Sequence, residues 1–236
     1  MSLHSRVLEE LGTVYDPELD EPITTLGFVG SLVVTDEGDV SVRLRLPTPQ
    51  CAPNFAFLMA FDARTAVERV EGVRELVIEL EDHYTGAEIN AAVGRGEGFD
   101  EAFPGETAGS LGALRSLFQR KALVAREGRL LAAGPPPATL GELSGPDAER
   151  CRELRRELGI AAGDDAPAFV TGDGAPVEDF VRFGRMARLT ALSLEANGGM
   201  CRDLLRVRYG GEGRSKMGAS HTTPTMALAG ARGADA

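Results

Sequence analysis

Val40-Ser41-Val42-Arg43-Leu44-Arg45-Leu46-Pro47-Thr48-Pro49-Gln50-Cys51-Ala52-Pro53-Asn54-Phe55 begins as a strand and ends as a helix. Its first seven residues alternate apolar and polar, which predicts a half-buried strand. From Phe55 the apolar residues Leu58, Met59, Ala63, Ala66, Val67 and Val70 fall at helical spacing. Pro53 suits the first turn of that helix, where its missing N–H costs nothing. Cys51 is therefore expected at a helix N-terminus, whose partial positive charge favours a thiolate. A thiolate binds metal or attacks an electrophile. The competing reading is a small hydrophobe in the core.

Working outward, Ser5 to Thr13 reads as a first helix, followed by the proline-fixed polar loop Tyr15 to Pro22. Phe28 to Thr35 reads as a strand, and Asp36-Glu37-Gly38-Asp39 turns it back into the Val40–Leu46 strand. After the cysteine helix, Glu71-Gly72 is a stop, and Val73 to Leu80 alternates as a third strand. The order α-β-β-α-β predicts a small α+β (α/β) sheet domain over residues 1–85 with helices on one face.

Residues 86–132 read as a helical extension with a short helix at Ala87–Val93 and an amphipathic one at Leu111–Leu123. Gly94-Arg95-Gly96-Glu97-Gly98 resembles a phosphate loop only superficially, since no strand precedes it. Gly134-Pro135-Pro136-Pro137 is a stiff linker into a second, mainly helical module at 133–209. That module holds a charged helix, Asp147–Leu158, and an amphipathic one, Val177–Asn197, ended by Gly198-Gly199. Residues 210–236 have few large apolar side chains, so disorder is expected.

The 236 residues carry a net charge of −11, without the basic footprint of a nucleic-acid binder. The charge is uneven: −14 over residues 1–110 and +3 over 111–236. Two regions of opposite sign suggest two modules that attract each other or dock on different partners. No apolar run approaches a membrane span, and the first residues lack a secretory signal. Cys51, Cys151 and Cys201 are distant and odd in number, so a reducing cytoplasm is expected rather than a disulfide framework.

Four motifs then stand in order: Val14-Tyr15-Asp16-Pro17-Glu18-Leu19, Pro22-Ile23-Thr24-Thr25-Leu26-Gly27-Phe28-Val29, Thr48-Pro49-Gln50-Cys51 and Gly72-Val73. Together they resemble the PaaD-like and SufT-like iron–sulfur cluster assembly domain, over about a third of the chain. The resemblance implies a non-enzymatic assembly or maturation factor for metalloproteins. Its cargo would be an iron–sulfur cluster or iron, bound transiently, and its partners a client metalloenzyme or other assembly proteins. Longer proteins with this domain are similar to proteins encoded beside soluble di-iron monooxygenases of actinobacteria, which makes such an enzyme the implied client. Two departures stand out. Ala52 intervenes where the family commonly has proline after the cysteine, and Thr25 replaces an aspartate before the Leu-Gly pair.

Cluster irons want thiolates, so Cys51 is the first candidate ligand, with Asp16 and Glu18 orienting the loop or accepting hydrogen bonds near it. Two copies of Cys51 across a homodimer could share a cluster. Alternatively one chain gathers Cys51, His83, Cys151 and Cys201. His4 and His221 read as incidental. A thiol enzyme with Cys51 as nucleophile and His83 as base lacks a third, orienting group. A client-specific folding adaptor that binds no metal is the remaining alternative, with the arginine-bearing helices 111–123 and 177–197 as its docking elements.

Overall fold

The computed structural model describes residues 1–105 and 110–210, so almost all of the expected disordered tail lies outside the described residues. Its first part is α+β. Helix α1 (Leu3–Leu11) starts two residues earlier than expected because Ser2 caps it, accepting the Ser5 N–H. A one-turn helix α2 (Ile23–Leu26), too short for a periodic signal, follows the proline loop. Strands β1 (Val29–Val34) and β2 (Val40–Arg45) form the antiparallel hairpin. Helix α3 (Pro53–Glu68) then crosses to β3 (Leu76–Glu81), which pairs parallel with β2. A parallel neighbour requires such a crossover, so β2 is the central strand with the order β1-β2-β3.

Alternation sorts β2: Val40, Val42 and Leu44 are buried under the helices, while Ser41, Arg43 and Arg45 face outward. On that outer face Arg43 and Arg45 pair with Glu79 and Glu81. The main core joins these strands to α1 and α3 and takes in residues as far as Phe103 through α4 (Gly86–Arg95) and α5 (Phe99–Ala102). Arg95, read as part of a glycine connector, is the last turn of α4.

The remainder is mainly helical. Helix α6 (Leu111–Ala133) runs ten residues past its expected end, α7 spans Pro146–Glu157, and α8 spans Phe180–Tyr209. Cys151, on a helix that reads as exposed, faces inward with Leu123, Leu154 and Val170; burial pushes its thiol up, so it is an inert core group. Glu127 and Arg155 are fully buried as a pair, 2.5 Å apart. Arg155 also donates to the carbonyls of Pro167 and Ala168, and Glu127 accepts the Val170 N–H. These bonds tie the segment Pro167–Val170, between α7 and α8, to α6 and α7. Burial raises the Glu127 carboxyl to about 7, against the pull of Arg155 and Val170.

The expected stop at Gly198-Gly199 is not a stop. Glycine weakens a helix interior by about 1 kcal/mol but does not forbid it. Here Gly198 is buried against the first part of the chain, and a Cβ would stand 2.7 Å from Glu21 Oε1. A similar closeness joins α6 to α8. Val124, Ala125, Phe183, Ala187, Ala191 and Leu194 pack there, and a Cβ on Gly128 would meet Ala187 Cβ at 2.6 Å and its carbonyl carbon at 3.0 Å. Two glycines in helices should therefore respond oppositely. Gly128→Ala should destabilise the protein by about 2 kcal/mol through overpacking, despite better helix propensity. Gly199→Ala, with nothing within 4 Å, should stabilise it by roughly 0.5–1 kcal/mol. Urea unfolding of both variants checks the pair.

Candidate functional site

The carboxyl end of a central strand, where the chain turns into a crossover helix, is where open α/β sheets place ligands. Residues 46–52 occupy that position. Ala52 is the N-cap of α3 and Pro53 its first residue, so the departure at Ala52 leaves the helix start intact. Cys51 is half-buried, with its sulfur 3.5 Å from the Thr48 hydroxyl.

The segment after β3 holds this loop. The Tyr84 N–H donates to the Pro49 carbonyl at 3.1 Å. His83 Nε2 lies 2.7 Å from the Cys51 carbonyl oxygen, and its Nδ1 lies 3.3 Å from the Thr85 nitrogen. An amide N–H can only donate, so Nδ1 accepts and Nε2–H donates to Cys51. Both ring nitrogens are thereby engaged. The imidazole braces the loop backbone and is not directed at the thiol as a base.

The acidic loop forms the second side. Asp16 Oδ1 accepts the N–H groups of Glu18 (2.9 Å) and Leu19 (2.8 Å), an aspartate-stabilised turn. The carboxyl is 7% exposed, and burial raises it to about 6 although both amides pull it down. Asp20 sits at φ +51, a left-handed conformation that aspartate tolerates. Its carboxylate meets Arg126 and Arg150, whose guanidinium covers the Tyr15 ring at 4.0 Å.

The third side comes from the far end of the sequence. Helix α8 is held at three points: Arg202 pairs with Glu21 at 2.6 Å, Leu205 packs over Gly27, and Arg208 donates to the carbonyls of Leu46 (3.1 Å) and Asp82 (2.8 Å). Just before these anchors lies Cys201, half-buried and packed, like Cys51, against the same core. Its thiol is raised to about 11, first by burial, then by Asp16, Cys51 and Glu18. The structure thus sets Cys51 and Cys201 against one core, with Asp16, Cys51 and Glu18 all acting electrostatically on the Cys201 thiol, adds His83 as a brace, and leaves Cys151 in another core. Among the described residues no group of three or more His, Cys, Asp or Glu side chains is arranged to hold a metal ion.

The arginines that assemble this site had no sequence signal of their own beyond the opposite charge of the two halves. That charge does meet across the molecule, in Asp20 with Arg126 and Arg150, Glu21 with Arg202, and Asp62 with Arg115 at 2.7 Å. Between the proline loop, α3, α6 and α7 lies a cavity of about 560 Å³ lined by Tyr15, Asp16, Asp20, Arg69, Arg115 and Arg150, among others.

Raised from the ordinary 3.8 to about 6, Asp16 favours the fold fully below about pH 4, and that contribution is lost as pH rises through 6. Asp16→Asn keeps the accepting oxygen without the buried charge. It should be more stable than wild type by about 3 kcal/mol at pH 7.5, with the difference vanishing near pH 4. Thermal unfolding across that range measures it.

Comparisons with known proteins concern this same part of the chain. The model of the iron-sulfur cluster assembly protein family matches residues 4–78. An uncharacterized protein of Methanocaldococcus jannaschii is 37% identical over 84 residues, 36% of this chain and 86% of the relative. An Fe-S protein maturation auxiliary factor of Porphyromonas gingivalis is 36% identical over 74 residues, 31% of this chain and 69% of the relative. No solved structure gives a significant match.

Proposed function

The chain belongs, through residues 4–78, to the iron-sulfur cluster assembly protein family, and on that premise we propose that it carries iron or an iron–sulfur cluster transiently on Cys51 and delivers it to a client metalloenzyme such as a di-iron monooxygenase. It is not itself a catalyst, and it works in the reducing cytoplasm. The observation that carries this reading is that Cys51, at the carboxyl end of β2, and Cys201 pack against one core, within electrostatic reach of each other and with Asp16 and Glu18 within reach of Cys201. Thiolates suit the cargo, but two of them are an incomplete set. The remaining iron positions are left to ligands from a donor or from the client, which suits transfer better than storage. Asp16 shapes the acidic loop, His83 fixes the cysteine backbone, and α8 brings in the second thiol.

The alternative is a client-specific folding adaptor without metal, docking through its arginine-bearing helices. Anaerobic reconstitution with iron and sulfide separates the two. Wild type should gain visible absorption and bound iron, Cys51→Ser should lose both, and Cys201→Ser should hold several-fold less iron. Metal-free protein in every case would favour the adaptor, whose client binding would survive Cys51→Ala.

A further inference from the structure

One face of α8 packs on α6 and on the site, and the opposite face is open. Met186, Leu189, Met200 and Val207 are 51%, 70%, 61% and 84% exposed. Single exposed apolar residues are ordinary, and Val181, Leu192 and Leu204 are exposed off this line, but these four fall in one pattern. With Ser193, Ala196 and Asp203, exposed between them, they recur at alternating spacings of three and four, the seam of a two-stranded coil. The stripe covers 22 of the helix's 30 residues, about 33 Å at 1.5 Å per residue.

The stripe is self-complementary in only one direction. In an antiparallel pair centred between Leu194 and Glu195, Leu189 faces Met200 of the other copy twice, while at the two ends Met186 faces Asp203 and Val207 faces Arg182. Ser193 faces Ala196 twice, small residues that let the helices approach at the middle. Asp203 falls beside Arg182 and Arg185 of the other copy. Among the described residues neither arginine has an ion-pair partner in its own chain, and Asp203 is held only by exposed Arg206. A parallel pair would set Asp203 against Asp203 and Arg182 against Arg182. Charge therefore selects the antiparallel arrangement.

We propose that α8 is the homodimer interface of this protein, with a second copy paired antiparallel along this stripe. This goes beyond the metal-carrier reading and stands without it. It also has a consequence for the sites. Cys201 lies on the buried face with Gly198 and Leu205, so each copy keeps its own Cys51–Cys201 pair turned away from the seam. The dimer holds two separate sites and does not bridge one cluster between two copies of Cys51.

Sedimentation equilibrium of the full chain tests the proposal. Wild type should sediment at twice 25.0 kDa. Leu189→Glu with Met200→Glu should raise the dimer dissociation constant more than about a hundredfold, the scale of two lost apolar contacts per half-interface, with helical circular dichroism retained. Asp203→Arg should also weaken the dimer, and adding Arg182→Glu and Arg185→Glu to the same chain should restore it. That charge-reversed chain alters exposed positions only and keeps the test valid if the glutamate pair fails to fold. A monomeric wild type overturns the proposal, whether residues 211–236, a client or nothing covers the stripe. So does a dimer that persists in the folded glutamate variant, or a charge-reversed chain that stays monomeric.

Discussion

Arg126 is the joint on which the rest of this molecule depends. Its guanidinium reaches the carboxylate of Asp20, donates to the Asp20 carbonyl at 2.7 Å, and pairs with Asp147 at 2.8 Å. One side chain on α6 thus holds the acidic loop of the first part and the first turn of α7. Arg129 reinforces the Asp147 end, where two guanidiniums outweigh burial and keep the carboxyl below its usual range. Nearly dry ion pairs of this kind contribute little net stability, because desolvation offsets the attraction. Removing one partner is what costs, and so the network works as a fixed geometry more than as an adhesive.

That geometry decides what the site contains. The acidic loop could hold its own turn through Asp16 alone, and the cysteine loop is held by His83 and Tyr84. Neither brings in Cys201. Its position follows from α6 docking on Asp20, α8 docking on α6 through Ala125, Gly128, Ala187 and Ala191, and α8 reaching on to Glu21, Leu46 and Asp82. The second thiol is a product of packing between distant parts of the chain.

The legibility of the sequence follows the same division. The sheet, its hairpin and the cysteine loop were readable because Val40–Leu46 alternates and Pro53 marks a helix start, both local signals. The start of β3 was placed three residues early because Val73 is apolar yet precedes the ladder, which begins at Leu76. The missed length of α6 and α8 involves a glycine in each helix. Gly198 reads as a breaker and the apolar spacing of α6 is followed only to Leu123, while in the structure Gly128 and Gly198 are points of close approach, to α8 and to Glu21. Propensity reports the cost of glycine in a helix and says nothing of the neighbour that needs the room. Cys201 was visible as a thiol and could not be placed. The arginines that place it look like ordinary solvated charges until Asp20 and Glu21 are known to face them.

The 150 positions between Cys51 and Cys201 also have a meaning in time. A ribosome adding about 5–20 residues per second needs roughly 8–30 s to pass from one to the other. Throughout that interval the first thiol exists without its covering helix, and only synthesis through Tyr209 lets Arg208 fasten to Leu46 and Asp82. The complete pair therefore belongs to the finished chain, and an interrupted translation product presents a bare cysteine loop.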